Sequence, residues 1–472
     1  MRSDLQQSTA SDLSATGATH GKAARSQRPR SSFGEWVPRP DRANPVEILE
    51  LQARTRVPEL VPIRYGRMIA SPFTFFRGAA AIMAADIGVG PSTGLRVQLC
   101  GDAHLSNFGG FAAPDRRLVF GMNDFDETHP GPFEWDLQRL AASFEIAGRD
   151  LGLNDKQRTA TVQRVVKTYG RTMRDFASST PLDVWYSRLD LDGLVAMIGP
   201  EVGQKVIKTL RRRADKAQRK DRYRALDRLT ERAGDGGLRF VSDPPLLVPA
   251  EELFDESGAT ELHDTVQRVL LDYRDTLDFK NRHLLDQYSF VHLARKVVGV
   301  GSVGTRAWVV LLVGRDLGDP LFLQVKQAEP SVLEPYAEPS AFASNGERVV
   351  AGQSLVQAAS DIFLGWNVVT GPDGVTRDYY LRQLWDWKAS ADIGAMSPTV
   401  LDAYALICGW TLARSHARTG DRVALAAYLG KSDSLAVALS EFATAYADQN
   451  ERDHAALVDA IAAGRVQAQT DI

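Results

Sequence analysis

Two groups of residues in this chain have types and spacings that suit chemistry on phosphate. The first is Gly101-Asp102-Ala103-His104-Leu105-Ser106-Asn107 with Asn123-Asp124-Phe125-Asp126; the second, about 170 residues further on, is Gly299-Val300-Gly301-Ser302-Val303-Gly304 followed by Lys326. Phosphoryl transfer asks little covalent work of a protein: it needs an aligned hydroxyl, a cradle for the phosphates and a divalent ion to neutralise charge between them. Asp102 with Asn107 five positions later has the spacing of a catalytic aspartate and a metal-binding amide, and Asp124 has the place of a metal-binding carboxylate. Asp102, Asn107, Asp124 and Lys326 are therefore the candidate catalytic residues, and Asn107, Asp124 and Asp126 the candidate metal ligands.

The glycine pattern alone suits a dinucleotide turn as well as a kinase phosphate loop. The segment after it, Trp308-Val309-Val310-Leu311-Leu312-Val313, is β-branched and aromatic, where a dinucleotide fold requires a helix. A hairpin is expected, with Gly299, Gly301, Ser302 and Gly304 around the phosphates and Lys326 reaching them from the next strand. Glu347, at the start of the following helix, is the expected partner of Lys326, with Glu334 as second choice. Gln383 and Leu384 fall where a hinge would offer backbone groups to adenine. A two-metal phosphoesterase would need further clustered histidines, and the eight in the chain form no such cluster.

These residues need elements to carry them. Leu95–Leu99 alternates as a strand and runs into Gly101-Asp102, while Leu118-Val119-Phe120 delivers Asp124; two neighbouring strand ends would set these carboxylates side by side. Helices are expected over much of 45–87, where the aromatic cluster Pro72–Gly78 reads as core, and from Glu134 to about Arg232. Strands are expected at Val297–Val300, Ala307–Val313, Leu321–Val325, Trp366–Thr370 and Arg377–Leu384, with a helix near 346–363. From Pro398 the chain is again helical, and Tyr404–His416 reads as a core helix. Gly420-Asp421 lacks a following Asn and reads as a turn. Between Lys205 and Arg232, twelve Lys/Arg face four Asp/Glu; this is read as a solvated helix face, with a docking surface for an acidic substrate as the functional alternative.

The motifs Gly-Asp-x-His-x-x-Asn at 101–107, Asn-Asp-Phe-Asp-Glu at 123–127 and Trp-Asp-Leu-Gln-Arg-Leu-Ala at 135–141 resemble the aminoglycoside phosphotransferase and choline kinase branch of the protein-kinase-like superfamily. Arg64 to Ala142 and Asp361–Trp366 also resemble a large bacterial family of uncharacterised proteins grouped with the kinase-like clan, a likeness that extends over nearly the whole chain after residue 40. The resemblance implies an α+β, two-lobed protein-kinase-like fold, with ATP and Mg2+ as cofactors and a hydroxyl-bearing acceptor. A small molecule is the expected acceptor, because Asp126 stands where protein kinases carry glycine. It also implies that Asp136 braces the loop of Asp102. Cys100 replaces the histidine that usually precedes Gly-Asp, whereas His104 keeps its family position and is expected to be structural. The motif groups stand in reversed order, which implies a circular permutation of a domain whose termini lie close together. A nucleotide-binding regulatory module and a nucleotidyl (AMP) transferase are the alternatives on the same fold.

The length of 472 residues favours more than one structural unit. The expected division is a disordered tail at 1–40, a helical catalytic lobe at 41–285, a small sheet-plus-helix nucleotide lobe at 286–386, and helices completing the larger lobe at 387–472. A net charge of -3 gives no general reason to expect nucleic acid or an anionic membrane as a partner. Two cysteines, no signal-peptide pattern and no long apolar run fit a cytoplasmic protein.

Overall fold

The strand signals resolve into antiparallel hairpins. The computed structural model describes residues 10–470 except 220, 235, 254, 255, 298, 372, 385 and 386, with backbone alone for 10–14 and 256–264. Along the chain come β1 (Arg96–Leu99), β2 (Phe108–Ala112), β3 (Leu118–Met122) and β4 (His129–Pro132). β1 pairs with β4 and β2 with β3, and β3 adds the two-residue β5 (Leu189–Asp190). β6 (Thr230–Arg232) and β7 (Leu238–Phe240) form a hairpin of their own. β8 (Leu247–Pro249), β9 (Ser289–Lys296), β10 (Ala307–Val313), β11 (Pro320–Ala328), β12 (Gly365–Thr370) and β13 (Thr376–Gln383) then build a six-stranded antiparallel sheet in the order β12-β13-β11-β10-β9-β8. Finally β14 (Ala389–Ser390) returns to the edge of β2. The fold is α+β with antiparallel sheets.

The helix Phe133–Asp150 is buried continuously from Phe133 to Gly148, as a helix enclosed on all sides must be. Around it pack Asp155–Ala177 and Ser434–Ala462, and the helix Pro398–Thr419 runs along Asp155–Ala177. That crossing is close because Gly409 has no side chain: a Cβ there would lie 2.5 Å from the Val165 carbonyl. The expected core helix at 404–416 is thus the buried centre of Pro398–Thr419, started by Ser397, whose hydroxyl accepts the Val400 N–H. The aromatic cluster at 72–78 is core as expected, with Phe73, Phe75 and Phe76 buried.

Several expectations are corrected. Residues 10–40 are ordered: the helix Ala10–Gln27 packs on Arg422–Leu429, and Phe33 is buried. Small residues make this possible, since a Cβ on Gly21 would meet the Ala424 carbonyl at 2.0 Å; an apolar-run criterion passes over such a helix. Residues 1–9 lie outside the described residues. The strand expected at Val297–Val300 ends instead at Lys296, because the glycines beyond it turn the chain. The helix expected to reach 363 ends at Val356, where Gln357 turns extended. The segment 222–285, expected in the helical part, instead covers the six-stranded sheet: Ala225, Leu229, Tyr273 and Leu277 join the clusters built on β9, β10 and β11.

Candidate functional site

β1 ends in Leu99, and Gly101, at φ +84°, swings the chain so that Asp102 leaves the sheet. No other residue fits that position, since a Cβ would also lie 2.0 Å from the Glu127 carbonyl. Asp136, in the first turn of Phe133–Asp150, accepts the Cys100 and Gly101 N–H groups at 2.9 and 3.1 Å. This is the bracing expected of it. His416, on Pro398–Thr419, sits 3.3 Å from the same carboxylate and 2.9 Å from the Tyr169 hydroxyl. The Arg139 Nε donates to Asp102 Oδ1 at 2.6 Å, while its guanidinium stacks 4.1 Å over Phe76 and donates to the Phe76 carbonyl. The aromatic cluster therefore acts on the site through Arg139. Burial pushes the Asp102 carboxyl up against the pull of Arg139. His104 stands 3.6 Å from Asp102 Oδ2; burial, then Arg139 and Arg77, drive it far below its ordinary range and keep it neutral.

The β2–β3 hairpin joins the two early motifs. Asn107 precedes β2, Asn123 follows β3, and the Asn123 N–H donates to the Asn107 carbonyl at 2.9 Å. The Asn107 side chain donates to the Asp102 carbonyl at 2.9 Å. β1 and β3 lie in different sheets, so Asp102 and Asp124 are brought close by this hairpin and not by adjacent strand ends. Burial raises the Asp124 carboxyl, with Asp126 and Asp102 adding to the effect. Among the described residues, Asp124 accepts one hydrogen bond, from the Asp126 N–H at 3.3 Å.

Lys326 is held by a residue of the first motif group. In the β11–β13 register, Lys326 faces Tyr380 and Gln324 faces Arg382, so all four project from one face of the sheet. Lys326 Nζ meets Asp126 Oδ2 at 2.6 Å and Ser302 Oγ at 3.2 Å; the Tyr380 hydroxyl donates to Asp126 Oδ1 at 2.7 Å, and Ser302 Oγ to Oδ2 at 3.1 Å. This corrects the expected partnership of Lys326. Glu347 and Glu334 are not the partners: the Glu347 amide caps onto Ser344, and Glu334 accepts the Ser340 N–H. From the same helix it is Arg348 that reaches in, donating to the carbonyls of Asp126, Thr128 and Glu329. Asp126, expected as a metal ligand, has both oxygens engaged by protein. Burial pushes its carboxyl up, but the Lys326 charge and the bonds from Lys326 and Tyr380 outweigh it and hold it at about 2.

The glycine turn between β9 and β10 has Gly299 and Gly304 at φ +71° and +90°. Two early arginines clamp it, Arg67 from the helix Val61–Met68 and Arg56 from the bend before it: Arg67 donates to the Gly299 carbonyl at 2.7 Å, Arg56 donates to that of Val303, and the Val57 N–H meets the Gly304 carbonyl at 2.8 Å. A Cβ at Gly301 would come to 3.3 Å from the Arg77 carbonyl. Arg56, Arg67, Arg139, Arg348, Arg382 and Tyr380 are site residues that sequence reasoning does not find. Arg139 stands in the motif at 135–141 without a role read for it; the others carry no motif, because their partners are carbonyls and carboxylates supplied by distant segments.

A cavity of about 210 Å³ lies between the six-stranded sheet and the β2–β3 hairpin, lined by Asp124, Gly299, Ser302, Lys326, Gln383 and Leu384 among others. Six of the expected residues thus line one cavity, while Asp102 and Asn107 are not among its lining residues. Arg382 borders it too, donating to Gln324 Oε1 and to the Asn123 carbonyl, both at 3.0 Å. The amide donors expected to face adenine are satisfied internally: Gln383 N–H by the Asp361 carboxylate, and Leu384 N–H by the Phe322 carbonyl at 2.9 Å. Among the described residues, no group of three or more His, Cys, Asp or Glu side chains could hold a metal ion, and no helix is long and apolar enough to cross a membrane.

Comparison with curated proteins returns no match, and neither does comparison with solved structures. The family model described as an uncharacterized protein conserved in bacteria (DUF2252) matches residues 56–460, from Arg56 beneath the glycine turn to the last long helix, and the chain belongs to that family.

Proposed function

We propose that this protein is a kinase-like phosphotransferase that moves the γ-phosphoryl group of ATP, with Mg2+, to the hydroxyl of a small-molecule acceptor, on a circularly permuted two-lobed protein-kinase-like fold. One observation carries the reading: Asp124 lines the same cavity as Gly299, Ser302 and Lys326, although 175 positions separate Asp124 from Gly299. The permutation draws support from the helix Pro398–Thr419. It follows β13 in the chain, yet Tyr404 on it donates to the Leu105 and Phe108 carbonyls at 2.9 Å each, and His416 meets Asp136.

In this reading the glycine turn and Lys326 bind the phosphates, and Asp102 Oδ2, the oxygen not taken by Arg139, orients the acceptor hydroxyl and receives its proton as the oxygen attacks phosphorus and the β–γ bridge breaks. The sparsely bonded Asp124 carboxylate and the Asn107 amide suit a divalent ion that keeps most of its shell for water and phosphate, as Mg2+ does. Such an ion would neutralise charge between the phosphates. Neutral His104 supports the loop. A second reading, nucleotidyl transfer with the nucleotide reversed, draws on the cations Arg382 and Lys388, which line the cavity together with Gln383 and Leu384, where adenine is expected. Metal-dependent ATP consumption should vanish in Asp124→Ala; turnover at the wild-type rate in that variant would sink the assignment. The mass gained by an acceptor separates phosphate from AMP.

A further inference from the structure

The first half of the basic stretch of the sequence folds into the helix Gln204–Gln218, with six Lys/Arg and one Asp. It covers a second cavity, of about 340 Å³, bounded by β2, β3, β14 and the helix Pro398–Thr419. The walls are apolar: Phe120, Leu194, Ile198, Val206, Leu210 and Ile407 line it. Protein interiors leave few voids larger than a water molecule, and an apolar cavity of this size with a few convergent polar groups has the character of a ligand site.

The polar groups lie along one edge. Lys205, Thr209 and Arg213 recur every four residues, one row on the helix surface, and all three line the cavity. Arg213 has a carboxylate within reach, Asp392 at 3.7 Å. Lys205 makes no ion pair among the described residues. The edge therefore carries a net positive charge over an apolar interior.

We propose that this cavity binds a straight-chain fatty carboxylate, its chain among the apolar walls and its head group on Lys205 and Arg213. At about 30 Å³ for each small group, the volume takes a chain on the order of ten carbons. The floor is β2, which follows Asn107, and Tyr404 lines the cavity while its hydroxyl holds the turn that carries Asn107.

Calorimetric titration of the full-length protein with decanoate, octanoate, decanol and decyltrimethylammonium tests this. Decanoate should bind one to one. Octanoate should bind more weakly by about fourfold per methylene removed, decanol at least about tenfold more weakly, and the cationic amphiphile not at all. Lys205→Glu/Arg213→Glu, at exposed positions that leave the core intact, should weaken decanoate at least about tenfold, the scale of losing a charge-assisted contact. Ile198→Trp, which fills the cavity, should abolish binding while circular dichroism stays unchanged. Absence of saturable decanoate binding overturns the inference, as do decanol matching decanoate, undiminished binding in the double variant, or self-association of the protein through this face in place of ligand uptake.

Discussion

Replacing Asp126 by Asn removes the carboxylate that, among the described residues, pairs with Lys326 at 2.6 Å, where the lysine side chain is 2% exposed. Asp124 remains as an anion acting on that ammonium, which places the loss at the low end for a buried charge stripped of its partner. At that separation an effective dielectric near 20 gives a gross attraction of about 6 kcal/mol. Desolvation of the ammonium offsets part of this, and leaving a buried charge without its partner costs about 3–5 kcal/mol. Asn keeps an acceptor for Tyr380 but carries no charge, so Asp126→Asn should lose about 3 kcal/mol. Lys326→Met, which removes the other charge, should lose less, and the double variant should recover most of the loss. Urea denaturation of the four proteins at pH 7 gives the cycle, with a coupling of at least about 2 kcal/mol expected. A carboxyl held at about 2 in the folded protein, below its unfolded value near 3.9, adds stability that is fully present above that unfolded value and is lost as pH falls through about 2. The coupling should therefore fade between about pH 4 and pH 2. Additive single losses at pH 7, or a coupling indifferent to acid over that window, would refute the ion pair as the lock between the two motif groups.

The same geometry sets three further outcomes. Burial pushes Glu127 up to about 7, against the pull of the Val332 N–H and Arg348; stability is then fully present below the unfolded value and lost as pH rises through 7. Glu127→Gln should match the wild type near pH 4.5 and exceed it by about 3 kcal/mol above pH 8, measured by denaturation at both ends. Asp136→Ala strands the buried Cys100 and Gly101 N–H groups and should lower stability by about 2–5 kcal/mol, read from the shift in melting temperature. Gly101→Ala must meet both a left-handed φ and the Glu127 carbonyl, so it should cost more than about 2 kcal/mol; amide exchange should accelerate first across 100–107.

By itself the sequence determined what depends on neighbours in the chain. Period-two alternation located β1, short apolar and β-branched runs located β3, β10, β11, β12 and β13, and turn residues separated them. The spacing of Asp102 to Asn107 sits in one short loop closed by local hydrogen bonds, so it was legible from composition and distance alone. Asp136 was legible through its motif, and it does hold that loop.

Tertiary structure alone decided the charge pairing and the edges of the units. The partner of Lys326 lies 200 positions earlier, where packing selected Asp126 over the nearer Glu347 because sheet register set Tyr380 and Lys326 on one face, opposite the second motif. The arginines beneath the glycine turn bind carbonyl oxygens, which every residue possesses, so no side-chain pattern announces them. The ordered helix at 10–27 packs through small residues, and a close approach between backbones leaves no apolar signature. Chemistry confined to one loop can be read from its letters, whereas a long-range ion pair exists only once the two surfaces that bury it have met.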